Sequence, residues 1–431
     1  MKEIKIKESN EVIYTFNTST NLPVYMWVNE KKKNTFMSLG VKYGSIGTKF
    51  KCNNVLYTVP TGIAHYLEHI KFHLKDVDVS ELFIDLGCDS NAYTSFKETV
   101  FEVYANDNIY DAVKLLLDYV YDDYFTKKIV DDERGIILEE INSNKDNPNY
   151  EFYMKFLNNF FINSNCKYPV AGTEKDVKEI SLEDIKLVYD FFYRPENMFL
   201  VITGNFDPKK MEKEIMDNES KRKFKPLGKI AIIDEEETDK ILKDKYELKS
   251  PNCKNTKARL TIKTSLKAFK GYKKEEITLA LRCLASAKFG LASDFYENLM
   301  QNSLVTEFYT LVSFDAGVIS FEFNYSSEKP NKVKDLIIDS LKNIKIDDEE
   351  LNRVKKYINS QFIMKFDNIY NVASSMIYNI VENDTIEFKD ISIVKSLTTK
   401  KITDRYKYVN KDNYIYGVLK PKKEESKKNI D

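Results

Sequence analysis

Long stretches of this chain occur twice in the same element order, and that duplication constrains the fold more than any single motif does. Residues 93–120, YTSFKETVFEVYANDNIYDAVKLLLDYV, run from a strand through a polar turn into an amphipathic helix. Residues 314–344, FDAGVISFEFNYSSEKPNKVKDLIIDSLKNI, do the same. The segment VDDERGIILEEINSNKDN (130–147) is paralleled by DDEELNRVKKYINSQF (347–362). LEDIKLVYDFFYRPENMFLVITG (182–204) is paralleled by ITDRYKYVNKDNYIYGVLKP (402–421). A matching order over such lengths implies one α+β unit of about two hundred residues used twice. At 431 residues the chain is also too long for one ordinary core. The expected fold is α+β, with two homologous α/β-sandwich domains, each a mostly antiparallel sheet with helices on one side. The expected boundaries are residues 1–210 for the first domain, 211–254 for a charged, solvated connector, 255–420 for the second domain and 421–431 for a tail.

Periodicity places strands at 24–28, 35–43, 99–105 and 198–204, where aromatic and β-branched residues dominate. It places helices at 61–73, 79–86, 108–123, 126–144, 149–162 and 181–193, the last opened by a capping-box pattern from Ser181 to Asp184. With 66 Lys plus Arg against 67 Asp plus Glu, there is no basic field to hold nucleic acid or an anionic membrane. The opening MKEIKIKESNEVIYTF has no apolar signal region, and no run of 18 uncharged apolar residues occurs, so a cytoplasmic chain is expected. Cys52, Cys88, Cys166, Cys253 and Cys283 are scattered and form no C-x-x-C pair, which predicts reduced, buried thiols.

All 3 histidines fall within HYLEHIKFH, residues 65–73. On a helix His65 and His69 stand four apart on one face, where two imidazoles can reach one cation, and neutral imidazoles suit zinc. Glu68 lies beside that face and can bond a water without being a ligand, the position of a general base. The second copy has no histidine, so any metal belongs to the first. A catalytic zinc needs a third ligand and an open position, and VDDERGIILEEIN offers one. On a helical wheel Glu140 falls about 20° from Glu133, amid Ile129, Ile136, Ile137 and Ile141, whereas Glu139 turns about 100° away. A carboxylate on an apolar stripe is costly without a cation or hydrogen bonds. This assigns Glu140 as ligand and Glu133 as its supporting companion.

His-x-x-Glu-His followed about seventy residues later by an acidic helix resembles the inverzincins, the pitrilysin, insulinase and mitochondrial processing peptidase superfamily. NAYTSFKETVFEV (91–103) is similar to that family's substrate-edge strand, and residues 168–208 resemble the close of its amino-terminal domain. The resemblance implies one zinc ion per chain on His65, His69 and Glu140, with Glu68 activating water and Glu133 supporting. It also implies half of a clamshell chamber, in which Asn91, Ala92, Tyr93 and Thr94 form an exposed edge for extended peptide substrates. His73 falls where the family carries an unrelated polar residue.

The family's second domain carries an Arg and a Tyr seven apart that contact substrate. Aligned on SDFYENLMQNSLVTEFYT, those positions here are Leu299 and Thr306, with Tyr309 as a nearby substitute. The departure implies a heterodimer in which a homologous partner subunit supplies the Arg/Tyr pair and this chain supplies the metal. The resulting expectation is a zinc metalloendopeptidase. A noncatalytic binding or assembly subunit that retains the fold is the competing class, and a zinc hydrolase acting on other bonds is a third.

Overall fold

The computed structural model describes residues 1–75, 77–225 and 227–422, so the expected tail lies outside the described residues from 423 onward. In chain order the first half runs β1 (Lys2–Ile6), β2 (Glu11–Asn17), β3 (Pro23–Val28), β4 (Thr35–Val41), β5 (Lys49–Cys52), β6 (Val55–Thr58), α1 (Ile63–Ile70), β7 (His73–Leu74), β8 (Val77–Asp78), α2 (Val79–Asp85), β9 (Cys88–Thr94), β10 (Thr99–Ala105), α3 (Ile109–Val120), α4 (Lys127–Lys145), α5 (Pro148–Phe160), α6 (Glu174–Glu179), α7 (Leu182–Phe192), β11 (Met198–Gly204), α8 (Pro208–Glu219) and β12 (Ile230–Ile232). The second half runs β13 (Lys245–Ser250), β14 (Lys257–Ser265), α9 (Lys274–Phe289), α10 (Asp294–Gln301), β15 (Glu307–Asp315), β16 (Val318–Ser326), α11 (Pro330–Lys342), α12 (Asp348–Met364), α13 (Ile369–Asn383), α14 (Asp390–Ser396), α15 (Thr399–Tyr406) and β17 (Tyr414–Pro421).

One compact unit comprises residues 1–141, 168–234 and 361–388. Its 7-stranded sheet has the order β1-β2-β3-β11-β4-β10-β9, antiparallel except where β11 runs parallel to β3. One face carries Met37, Leu39, Phe101, Val103, Leu200 and Ile202, which close a core with Leu67 of α1, Leu116 of α3 and Val188 of α7. Each such side chain contributes about 1.5–3 kcal/mol when fully buried. The opposite face is covered by α13. Thr203 donates a hydrogen bond to the carbonyl of Ile369 at 2.9 Å, and the Phe36 ring lies 5.3 Å from Tyr370. Coverage of both faces explains why β4 and β11 are buried at every residue and read as runs without a charged residue.

The other unit comprises residues 142–167, 235–360 and 389–431, its last described residue being 422. Its 5-stranded sheet, β13-β17-β14-β16-β15, repeats the order and sense of β3-β11-β4-β10-β9, including the one parallel pair, β13 with β17. This is the duplicated α+β unit in its clearest form. Helix α5 packs on β17 and β13 here, as α13 packs on β11 and β4 in the first unit.

The expected continuous boundaries therefore differ from the observed units, because each half of the chain gives one helix to the unit built mainly by the other half. The charged connector also needs correction. Met211 and Ile215 of α8 are fully buried, β12 pairs with β5, and β13 forms an edge of the second sheet. Most of the charge there lies on the outer faces of these elements, but Glu219 and Glu237 are buried. All 5 cysteines are free and buried, and among the described residues no helix is long and apolar enough to cross a membrane.

Candidate metal centre and active site

Helix α1 starts at a tight backbone crossing. Gly62 precedes it with φ +85°, and Gly172 faces it with φ +84°. A Cβ on Gly62 would lie 2.4 Å from the carbonyl oxygen of Ala171, and one on Gly172 would lie 2.5 Å from that of Thr61. Only glycine accommodates both the left-handed backbone and the approach. Thr61 tightens the crossing by donating to Asp176 and accepting the Thr173 amide at 3.1 Å. The Tyr66 hydroxyl, donating to the carbonyl of Val130, ties α1 to α4.

The expected helix over 61–73 stops at Ile70. Its end is a turn in which the Lys71 amide bonds back to the carbonyl of Leu67 at 3.1 Å, and His73 instead opens the short β7–β8 pair. That turn brings the His73 ring back against α4.

The structure places His65, His69 and Glu140 together, with one ligand atom from each lying within 4.8 Å of the others. Glu140 Oε2 is 3.7 Å from His65 Nε2 and 3.6 Å from His69 Nε2. These separations exceed a hydrogen bond of about 2.7–3.2 Å. They approach the edge of about 3.3 Å expected of a tetrahedron whose ligands stand about 2.0–2.1 Å from a zinc ion. The donor set therefore fits zinc in number, type and spacing. Burial, with repulsion from His69, pushes His65 down to about 4, so its ring is neutral near pH 7. Burial also works against charge on His69, but its hydrogen bond to Glu133 and the nearby Glu140 carboxylate outweigh it and push His69 up to about 9. A proton on His69 thus answers the same carboxylates that favour a cation.

Glu133 sits behind the ligands. Its Oε2 is 3.1 Å from His69 Nδ1, and its Oε1 is 2.7 Å from His73 Nε2. Burial opposes its ionisation, yet the two imidazoles hold it down to about 2. The apolar stripe expected around Glu140 is narrower than the wheel suggested. Ile137 and Ile141 are buried, but Ile136 is 53% exposed, and the buried carboxylate is Glu133, not Glu140. Glu139 is exposed as expected.

Glu68 is buried on α1 and accepts a 2.5 Å hydrogen bond from Thr94 Oγ1. Burial raises its pKa, and the Thr94 bond opposes the rise. Thr94 ends β9, which with Asn91, Ala92 and Tyr93 forms the last strand of the seven. In the second unit Leu299 is fully buried, Thr306 is exposed, and Tyr309 is 53% exposed on the edge strand β15. The sequence reading missed the Thr94–Glu68 bond, the Gly62–Gly172 crossing and the reach of His73. Only the glycines carried a local signal, since each sits beside a threonine at a helix start.

Two family models match the chain: "Insulinase (Peptidase family M16)" over residues 58–174 and "Peptidase M16 inactive domain" over residues 179–358. An uncharacterized zinc protease of Bacillus subtilis, YmfH, is 31% identical over 319 residues, covering 73% of each chain. An uncharacterized zinc protease of Rickettsia bellii is 29% identical over 215 residues, 48% of this chain and 49% of its own. Among solved structures, an M16-like peptidase of Alicyclobacillus acidocaldarius superposes with a TM-score of 0.88 at 25% identity, covering 95% of this chain and 98% of its own. A protease of Helicobacter pylori shares the fold, with a TM-score of 0.78 at 20% identity over 95% and 100% of the two chains. With its duplicated α+β unit and its zinc-protease relatives, the chain belongs to the M16 family, the pitrilysin and insulinase superfamily of peptidases.

Proposed function

We propose that this chain is a zinc-dependent endopeptidase for extended or unfolded peptides. The observation that carries the reading is the convergence of His65, His69 and Glu140 at near-tetrahedral spacing, with Glu68 beside them and outside the ligand set. One zinc ion held there would supply a Lewis acid for the scissile carbonyl and make water a stronger acid. Glu133 holds the Nδ1 side of His69, which leaves Nε2 facing the site. Glu68 accepts a proton from the attacking water and returns it to the leaving amine nitrogen, while Thr94 fixes the orientation of its carboxylate. The outer edge of β9 receives the substrate backbone as an added strand, which favours extended chains over folded ones.

The reading includes a homologous partner subunit that completes a closed chamber and brings the substrate-contacting Arg and Tyr. No arginine lies in the segment 293–310, and Leu299 is packed in the second core. The compartment proposed is the cytoplasm. The test is zinc analysis together with a peptide-library digest, performed on the chain alone and with a homologous partner. One zinc per chain, weak cleavage alone, strong cleavage in the pair, and loss of cleavage with zinc retained in Glu68→Gln are expected. Full turnover by the chain alone overturns the heterodimer. Stoichiometric zinc without hydrolysis under either condition assigns the chain to the noncatalytic class instead.

A further inference from the structure

The mechanism uses the face of the sheet that carries the histidines, and one buried charge lies on the other. In β10 the side chains of Val100, Glu102 and Tyr104 alternate away from Phe101 and Val103, which belong to the core that packs α1. Cross-strand register puts Tyr93, Asn91 and Asp89 of β9 on the same face, opposite Val100, Glu102 and Tyr104 respectively. Glu102 is only 7% exposed, yet its carboxylate makes no hydrogen bond or ion pair among the described residues. Its neighbour on the inner side, Ser38 of β4, also has a buried hydroxyl without a partner. On the outer side stands Asn91, exposed on the edge strand. The Ser38 hydroxyl is buried without a partner, and the Glu102 carboxylate beside it is unpaired but keeps a small exposed area, so a polar group arriving from outside can reach this cross-strand row.

We propose that Glu102 forms the floor of a specificity subsite on the face of the sheet away from the histidines, and that it selects a lysine or arginine side chain of the bound peptide. The inference rests on the reading of β9 as the substrate edge. A peptide strand added to that edge lies two inter-strand spacings, about 10 Å, from β10. Half of its side chains project onto the Glu102 face. A short side chain there covers Asn91 and stops, whereas the long stem of Lys or Arg crosses Asn91 and brings its cation to the carboxylate.

The surroundings suit a cation. Tyr104 is 40% exposed beside Glu102 on β10, Tyr370 of α13 is 48% exposed over the same face, and Tyr93 lies on the edge strand. Their ring faces attract ammonium and guanidinium groups. Asp89 adds an exposed negative charge on that face, while the cation Lys97 is already paired with Glu382 at 2.5 Å. Burial pushes Glu102 up to about 7. An arriving cation restores the ionised form.

The test uses the full zinc-loaded chain carrying Glu68→Gln, so that bound peptides survive. Extended peptides are made in pairs that differ at one position by arginine or citrulline, its uncharged isostere, and binding is read by fluorescence anisotropy. At one position of the series the arginine peptide is expected to bind about tenfold more tightly. Adding Glu102→Gln is expected to bring that ratio to about one. Asn91→Lys, which places a built-in cation beside the carboxylate, is expected to do the same from the exposed edge and serves if the buried substitution impairs folding. Equal affinity within every pair, or a ratio that survives both substitutions, overturns the subsite but leaves peptide binding, and so the peptidase reading, standing. Failure of every peptide to bind overturns the subsite together with the edge-pairing on which it rests.

Discussion

Replacing Glu237 by alanine removes the keystone of a buried polar cluster in the segment expected to be a solvated connector. Glu237 and Lys263 have side chains that are 0% exposed and stand 3.3 Å apart. Glu237 Oε2 accepts the backbone amides of Ile162, Asn163 and Ser164 at 2.8, 2.9 and 3.2 Å, and Oε1 accepts that of Thr238 at 3.0 Å. Lys263 Nζ in turn donates to the carbonyls of Phe160 and of Lys240, the latter at 2.7 Å. One carboxylate therefore closes the chain after α5 onto β14.

Truncation leaves the Lys263 ammonium without its counterion and several amides without an acceptor. Breaking a buried pair in this way costs about 3–5 kcal/mol, most of it the penalty of the stranded charge. For a unit of this size, about 4 kcal/mol lowers Tm by roughly 8–16 °C. The assay is calorimetric unfolding, in which the transition of the second unit should move and that of the first should not. The double variant Glu237→Gln with Lys263→Met removes both charges and should cost clearly less than the sum of the single changes. The pH dependence has a definite sign. Burial works to raise the Glu237 pKa, but the amides of Thr238 and Asn163 and the Lys263 ammonium outweigh it and hold it below its ordinary 4.5. Its contribution is thus present above that value and is lost as pH falls through the depressed one. A shift below about 2 °C in Glu237→Ala, or strict additivity in the double variant, refutes the reasoning.

Three further outcomes follow from the site. His73→Leu should weaken zinc binding by about 10–100-fold in a chelator competition, because Glu133 loses the partner that fixes its hold on His69; an unchanged affinity would contradict that support. Gly172→Ala should destabilise the first unit by more than the roughly 1–2 kcal/mol of a left-handed backbone, since its Cβ also meets the Thr61 carbonyl; thermal unfolding within 1 °C of the parent, to order of magnitude, would speak against the crossing. Thr94→Val deprives ionised Glu68 of its hydrogen bond, so the acid limb of the kcat/KM profile should move to higher pH, and a limb that stays in place would show that the bond does not tune the base.

Much of the site was legible because its chemistry is written in helical spacing. His65, Glu68 and His69 need only the α1 period, and the pairing of Glu133 with Glu140 needs only the wheel of α4. The capping box from Ser181 to Asp184 was legible for the same reason, and both of its reciprocal bonds form. What stayed hidden depends on chain segments far apart in sequence. The Thr94 hydroxyl reaches Glu68 only after β9 is laid beside α1, and Gly62 meets Gly172 across the intervening residues 63–171. The exchange of α5 and α13 left one faint trace, the uncharged runs of β4 and β11. A half-exposed antiparallel strand alternates, and these do not, because a helix encoded far downstream covers their second face.

The duplicated topology also separates what the fold supplies from what the residues supply. Both units end their common strand order on an edge strand, β9 in one and β15 in the other. The first has Glu68 tied to that edge through Thr94, and His65 and His69 on the same helix beside Glu140. At the corresponding place the second has α9 and α10, and no histidine. Leu299 on α10 is fully enclosed, so an arginine substituted there would have to bury a guanidinium or break the helix packing to reach anything outside. Tyr309 and Leu311, each more than half exposed along β15, remain free to meet a peptide or a partner through side-chain contact. On the proposed reading the second copy guides an extended chain through Tyr309 and Leu311, and the cationic contact is assigned to the proposed partner subunit because Leu299 has no room to become one.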